Sequence, residues 1–413
     1  MPKTAVVIIG AGQAGLAMSR SLSDLDIEHV VLERGSVAQR WRSHGWDSLR
    51  MLTPNWMTRL PGFQYDGHDP DGFMSVAELV AFLQRYAVLS GVPVLGDTTV
   101  QRVEPWGTGF RVQTSRGAWC ADSVVVATGY SERPFVPPLS AGLSPSVLQM
   151  VPAAYRNPSQ LPPGGVLIVG SSSTGVQLAD EIHQSGRQVT LAVGRHTRLP
   201  RRYRGRDILW WLERMGSMSE DIASVRDAKA SRNQPSLQLV GRPDHASLDL
   251  RGLRERGVRL VGRLRAVDGV RVHLNDDLVA KTAAADIKMA ETLRRVDAFV
   301  ARTGADAEPA APFEPTWPLA AGAPATIDLA AAGIATTIWA TGYRRSYPWL
   351  KLRVLDARGE IIHDGGVTAV PGLYVLGMRF QRRRHSNFID GVGADARELA
   401  DHIAGTLANR RVA

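Results

Sequence analysis

The chain has 413 residues, with 44% apolar and 22% charged side chains and a formal net charge of +9. That length exceeds one compact core and implies two joined domains, while no apolar run reaches the roughly 18 residues of a membrane span. A single cysteine, Cys120, excludes an intrachain disulfide and a C-x-x-C redox pair, and it points to a reducing cytoplasm.

The chain opens on a strand rather than a signal peptide. AVVIIG is a β-branched run ending in glycine, AGLAMSRSLSDL a helix and EHVVLER a second strand, so residues 5 to 35 make a βαβ unit. Ser75-Val-Ala-Glu78 predicts a capping box at the head of an amphipathic helix running to about Leu89. TTVQRVEPW and GFRVQTSRGAWCADSVVVATG follow as turn-separated β segments. A second βαβ unit begins at 164 with GGVLIVG, TGVQLADEIHQSG and RQVTLAVG. After 215 the signals weaken. ADIKMAETLRRVDAFVAR predicts a helix, and 303 to 325 is an Ala/Pro/Gly-rich loop. Order returns at TTIWATGY, at GLYVLG and in a final helix near 394 to 408.

The duplicated strand–glycine–helix unit organises the chain. In the first copy Gly10, Gly12, Gln13, Ala14 and Gly15 follow a strand and open a helix. The spacing suits a tight turn, close approach of backbone to a pyrophosphate, and close helix–strand packing. Glu33, with Arg34 after it, ends the next strand, where an acid holds ribose hydroxyls. The second copy, Gly170, Ser171, Ser172, Ser173, Thr174 and Gly175, has serine at the middle glycine position. Its second strand ends in GRHTRLPRRYRGR, without an acid. Arg195, His196 and Arg198 there are candidates for a 2′-phosphate, which favours NADPH over NADH. No nucleic-acid recognition module accompanies the positive charge, so the remaining arginines read as surface groups.

Two such sites, the first acidic and the second basic, suggest FAD plus NADPH. The fold expected is α/β, with two Rossmann-like dinucleotide-binding domains and the NADPH domain inserted into the FAD domain. The boundaries expected are 1–156 and 336–413 for FAD and 157–335 for NADPH, with 215–330 unassigned. VVVATGY (Ala127, Thr128, Gly129) and TIWATGY (Thr341, Gly342) are buried strands with small-residue turns, placed where the chain crosses between domains.

The chain resembles the class B flavin-containing monooxygenases. The resemblance rests on Gly10/Gly12/Gly15 with Glu33, RWR at 40–42, LTPNWMTRLPG at 52–62, Tyr155-Arg156, Gly170 to Gly175, both ATG strings and PGLYVLG at 371–377. It implies that Trp41, Arg42, Thr53, Pro54 and Asn55 line the flavin, with Asn55 a hydrogen-bonding catalytic candidate, and that Val100 lies at the adenine. After the turn at Gly377, Asn387 and Asp390 either approach the flavin or form a surface loop and helix start. The family fingerprint Phe-x-Gly-x-x-x-His-x-x-x-Tyr/Phe-Lys/Arg keeps only its ending here, because Val151 stands at the histidine, Val147 at the glycine and Pro145 at the phenylalanine. The flavin activates oxygen without that histidine, so the change bears on NADPH coupling more than on hydride transfer.

The resulting expectation is an FAD monooxygenase that uses NADPH and O2 to insert one oxygen atom into a small organic substrate, by N- or S-oxygenation or a Baeyer–Villiger reaction. A dehydrogenase or reductase without oxygen transfer and an inactive FAD/NADPH-binding sensor are the alternatives. The expected setting is cytoplasmic, with a homodimer as the assembly considered. Trp210, Trp211, Met215 and Met218 suggest core packing, an apolar substrate pocket or a dimer contact.

Overall fold

Two sheets carry the chain, the first mixed and the second parallel, and in each a βαβ unit supplies central strands. The computed structural model describes residues 1–316 and 322–412. In the first lobe the strand Lys3–Ile9 leads into helix α1 (Gln13–Ser23) and the strand His29–Leu32, and short α2 (Gln39–His44) follows. Helix α3 (Val76–Leu89) has the expected capping box: Ser75 N donates to Glu78 Oε2 at 2.7 Å and Glu78 N to Ser75 Oγ at 3.3 Å.

The first sheet runs Val94–Leu95, His29–Leu32, Lys3–Ile9, Gly117–Val126, Gly109–Thr114, Val100–Trp106. The long strand Gly117–Val126 also pairs in parallel with Leu373–Val375 near its end. Ile9 stands opposite both Leu32 and Val126. This register brings Gly10, Glu33 and Ala127 to one edge, because each is the next residue along its strand. Val6, Val7 and Ile8 are fully buried, as expected of a central strand covered on both faces.

The second sheet is entirely parallel, in the order Leu148–Met150, Ile334–Trp339, Gly165–Val169, Val189–Ala192, Arg259–Val261. Helix α4 (Ser173–Gln184) packs on it, and α5 (Ile208–Arg214), α6 (Ala228–Arg232) and α7 (Leu250–Glu255) follow. The predicted helix at 285–302 lies inside α8 (Leu278–Thr303), and the final helix α9 (Ile389–Val412) starts earlier than expected. A three-stranded antiparallel sheet, Leu264–Asp268, Arg271–Leu274 and Thr326–Asp328, fills part of the unassigned region. The 303–325 stretch is irregular where described up to its last residues, and 317–321 of that expectation lie outside the described residues.

The two-lobe α/β fold with an inserted second lobe is as expected, but the boundaries move. Leu148–Met150 and most of Ile334–Trp339 lie on the FAD side of the expected boundaries, yet they hydrogen-bond into the second sheet. The crossing is instead a ribbon, Arg133–Pro134 antiparallel to Tyr343–Arg344, with Phe135 N donating to Gly342 O at 2.8 Å. Sequence periodicity misplaces it because strands as short as two or three residues carry no pattern. Among the described residues no helix is long and apolar enough to cross a membrane.

Candidate functional site: two glycine turns, one in each lobe

Both turns are built alike. A Cβ on Gly15 would sit 1.8 Å from the Gly10 carbonyl oxygen, and one on Gly175 would sit 1.8 Å from that of Gly170. Each helix therefore packs on its turn only because the third position is glycine. Gly10 (φ +106°) lies against the Ala127 carbonyl, and Gly170 (φ +109°) against that of Ala340. The two ATG strings thus close the two turns, and Gly129 and Gly342 both have positive φ.

The first turn is open. Nothing lies within 4 Å of where a Gly12 Cβ would point. The Thr128 Oγ is buried with no protein partner, an unsatisfied polar atom that calls for a ligand or water. Glu33 is buried, accepting from Ala11 N at 2.8 Å and Gly35 N at 3.1 Å. Thr98 N donates to the Glu33 backbone O at 2.8 Å, so the strand starting at Val100 begins close to this residue. Gly377 packs on the same helix, its virtual Cβ 2.8 Å from that of Ala14. A cavity of about 600 Å³ continues from Arg34 to Arg40, His44 and Asp97, the last two being residues that the motifs did not single out. Burial, then Arg40 and Arg34, lowers the His44 pKa to about 4 and keeps its ring neutral. Openness, orphaned hydroxyl and fixed acid fit the adenosine and pyrophosphate of FAD.

The second turn is covered. Ser172 Oγ donates to Ser236 O at 3.0 Å, and Gln238 Nε2 donates to Ser171 O at 2.6 Å. Arg195 donates to Asn233 O at 2.5 Å. Segment 233–238 therefore occupies two of the groups expected to meet NADPH. It is tied to the first lobe as well, by Arg379 to Gln234 O at 2.5 Å. Ser171 Oγ is a second buried hydroxyl without a partner. The turn fits a pyrophosphate once the cover moves.

Three expectations need correction. Arg198 is not a phosphate ligand: it is 4% exposed and paired with Asp286 at 2.8 Å and Asp249 at 3.0 Å. Burial next lowers the pKa of His196, whose Nδ1 bonds Gly194 O at 3.0 Å, so it presents no cation to a phosphate. Of the three candidates only Arg195 is exposed. Asn55 is buried with both ends of its amide on backbone, Nδ2 to Asp69 O at 2.8 Å and Oδ1 from Met74 N at 2.9 Å. It braces the 69–74 loop.

Other candidates fall around the inter-lobe space. Asp390, in the first turn of α9, takes two bonds from Arg59 at 2.5 and 2.9 Å, and Arg59 also reaches Glu213 of α5 at 2.5 Å. Trp41 is half-buried against the first core, and Arg42 beside it is exposed. Pro54 caps the single 3-10 turn 55–57, with Thr53 half-buried before it. Asn387 is half-buried ahead of α9. Trp211 and Met218 are core, while Trp210 is only partly buried and lines a cavity of about 640 Å³ between the lobes.

The Tyr155-Arg156 ending is a clasp. Tyr155 is fully buried, its hydroxyl donating to Glu181 Oε1 at 3.0 Å, and Ser48 of the first lobe reaches the other oxygen at 2.5 Å. Arg156 donates to Ser43 O at 2.8 Å and to Gly45 O, at the C-terminus of α2, where a cation is favoured. Val151, at the histidine position, packs against an apolar cluster of the second lobe.

Residues 7–226, just over half of the chain, match the family model for pyridine nucleotide-disulphide oxidoreductases. An uncharacterised CzcO-like oxidoreductase of Geobacillus kaustophilus is 31% identical, with 96% of this chain and 97% of the relative covered. The indole-3-pyruvate monooxygenase YUCCA1 of rice is 29% identical over 45% of this chain and 47% of its own. A flavin-containing monooxygenase structure from Stenotrophomonas maltophilia aligns with a TM-score of 0.68 at 21% identity, covering 98% of this chain and 99% of that one. The resemblance to flavin monooxygenases holds in sequence over a little under half of the chain and in fold over nearly all of it.

Proposed function

The chain belongs to the pyridine nucleotide-disulphide oxidoreductase family, and on that footing we propose that it is an NADPH-dependent FAD monooxygenase of amine or sulfide substrates. Its one cysteine, Cys120, leaves no dithiol pair for the disulphide chemistry in the family's description. The observation that carries the reading is the paired construction: two like turns, one in each lobe, the first followed by Glu33 and the second by Arg195.

Bound FAD supplies hydride acceptance and activation of O2. The chain's own residues bind, orient and shield. The N-termini of α1 and α4 direct backbone N–H groups at the two pyrophosphates. Glu33, fixed by the Ala11 and Gly35 amides, holds ribose hydroxyls. Arg195, released from Asn233, pairs with the 2′-phosphate. The Tyr155-Arg156 clasp holds the lobes together so that water is kept from the reacting centre. In the balanced reaction one oxygen atom of O2 forms a bond to nitrogen or sulfur and the other leaves as water. NADPH is oxidised to NADP⁺ and one proton is consumed. The Tyr-Arg ending supports attack on a heteroatom over insertion beside a carbonyl, and the single cysteine supports a cytoplasmic setting.

A second reading, a reductase without oxygen transfer, draws support from Val151 at the fingerprint histidine. Anaerobic NADPH addition followed by labelled O2 separates the readings. Bleaching of the flavin and one labelled atom in the product of a sulfide or amine supports the proposal. Bleaching followed by hydrogen peroxide alone selects the reductase, and absence of bleaching selects a non-catalytic binding protein.

A further inference from the structure

The cavity of about 640 Å³ between the lobes has an unusual lining. One wall, Trp56 and Arg59, lies just after Thr53 and Pro54, which the resemblance places at the flavin. The opposite wall comes from the second lobe, where the Arg206 and Arg214 guanidiniums stand 5.4 and 5.2 Å from the Trp210 ring centroid. Arg214 has no acidic partner among the described residues, and the acid nearest Arg206, Asp306, is 3.8 Å away and almost wholly in solvent. Glu213, also in the wall, is already engaged by Arg59 at 2.5 Å. The lining carboxylate left without a cation is Asp71.

Guanidiniums stacked over an indole, one without an acidic partner and the other with only a long, solvent-exposed one, leave their forks available to a carboxylate, since stacking uses the ring face and bidentate pairing uses the edge. Two indoles, one from each lobe, offer flat apolar surface to the rest of such a molecule. We propose that this cavity selects a substrate combining a flat, aromatic body with a carboxylate, the carboxylate held by Arg206 and Arg214 and the ring by Trp210 and Trp56. Neutral aromatic amines and sulfides lack the anchoring charge. The inference rests on the monooxygenase reading for what happens to the ligand, though not for its binding.

(Phenylthio)acetate and (phenylthio)acetamide differ only in the charge and carry the same oxidisable sulfur. Binding to the FAD-loaded protein, read by calorimetry without NADPH, should be about tenfold tighter for the carboxylate, and the double variant Arg206→Met/Arg214→Met should bring the pair to within about twofold. Amide binding that matches in wild type and variant shows the cavity intact. The Trp210→Ala variant should weaken both probes and keep their ratio. Equal wild-type binding of the two probes, or a preference that survives the double variant, overturns the inference. With NADPH and O2 present, sulfoxide formation with KM following the same preference supports it further. Selective binding without sulfoxide leaves the cavity assignment standing and overturns only the oxygen-transfer reading.

Discussion

The two glycine turns share a backbone and differ in what lies on them. Around Gly12 nothing lies within 4 Å of the position a side chain would take, whereas Ser172, at the equivalent place, is hydrogen-bonded to segment 233–238. One turn is a standing receptacle and the other must be uncovered. That difference separates a cofactor that stays from one that comes and goes: an open preformed site costs no reorganisation on binding, while a covered site reduces apparent affinity by the population of its open form.

Replacing the third glycine of each turn tests the contrast most severely. Gly15→Ala drives a Cβ onto a carbonyl oxygen at 1.8 Å, and the protein should purify without flavin absorbance. Gly175→Ala meets the same distance, yet it should leave FAD bound and abolish its reduction by NADPH. If both variants lose FAD, the turns do not serve separate ligands.

Next come the arginines. Arg198→Met removes the cation shared by buried Asp286 and half-buried Asp249 and should cost about 3–5 kcal/mol of stability, read from chemical denaturation. Arg195→Ala should leave stability unchanged and lower the NADPH-over-NADH preference by roughly 30-fold, as loss of a charge-assisted pair implies. The reverse pattern would return the 2′-phosphate to Arg198.

A milder test loosens the cover. Gln238→Ala deletes one bond between the segment and the turn, worth about 1 kcal/mol, so NADPH should bind about fivefold more tightly. Weaker binding would make the segment part of the nucleotide site rather than its competitor. A last test concerns pH, to which both lobes contribute in the same direction. Burial, then Arg232 and Arg345, lowers the His363 pKa to about 4, and burial lowers that of His196. The unfolded chain, with histidines near 6.5, binds more protons below that pH. Stability is therefore full above about 6.5 and declines as pH falls, for His363 down to about pH 4 by at most about 1.4 kcal/mol per pH unit, with His196 adding in the same direction. A thermal midpoint flat from pH 7 to pH 5 would contradict this.

Chemistry repeated at fixed local spacing was legible in the sequence. Glycines three and five residues apart, a terminal acid and two ATG strings lie within short windows and fix both turns. What escaped depends on distant partners. Arg195 and Arg198 look alike in sequence, but only Arg198 meets Asp286, 88 residues away. Asn55 stands in a matching motif, yet its amide finds Asp69 and Met74. The cover of the second turn is a polar Asn-Gln-Pro-Ser stretch whose period predicts neither helix nor strand, and the domain boundaries depend on strands too short to show one.

The ribbon at Arg133–Pro134 and Tyr343–Arg344 has a further consequence. Outgoing and returning chains lie side by side there, joined by backbone hydrogen bonds. An insert whose two ends meet can be exchanged without redirecting the host chain. The second lobe is in that sense a cassette, and grafting a relative's lobe at these two positions would transplant coenzyme preference while the flavin's receptacle stays in place.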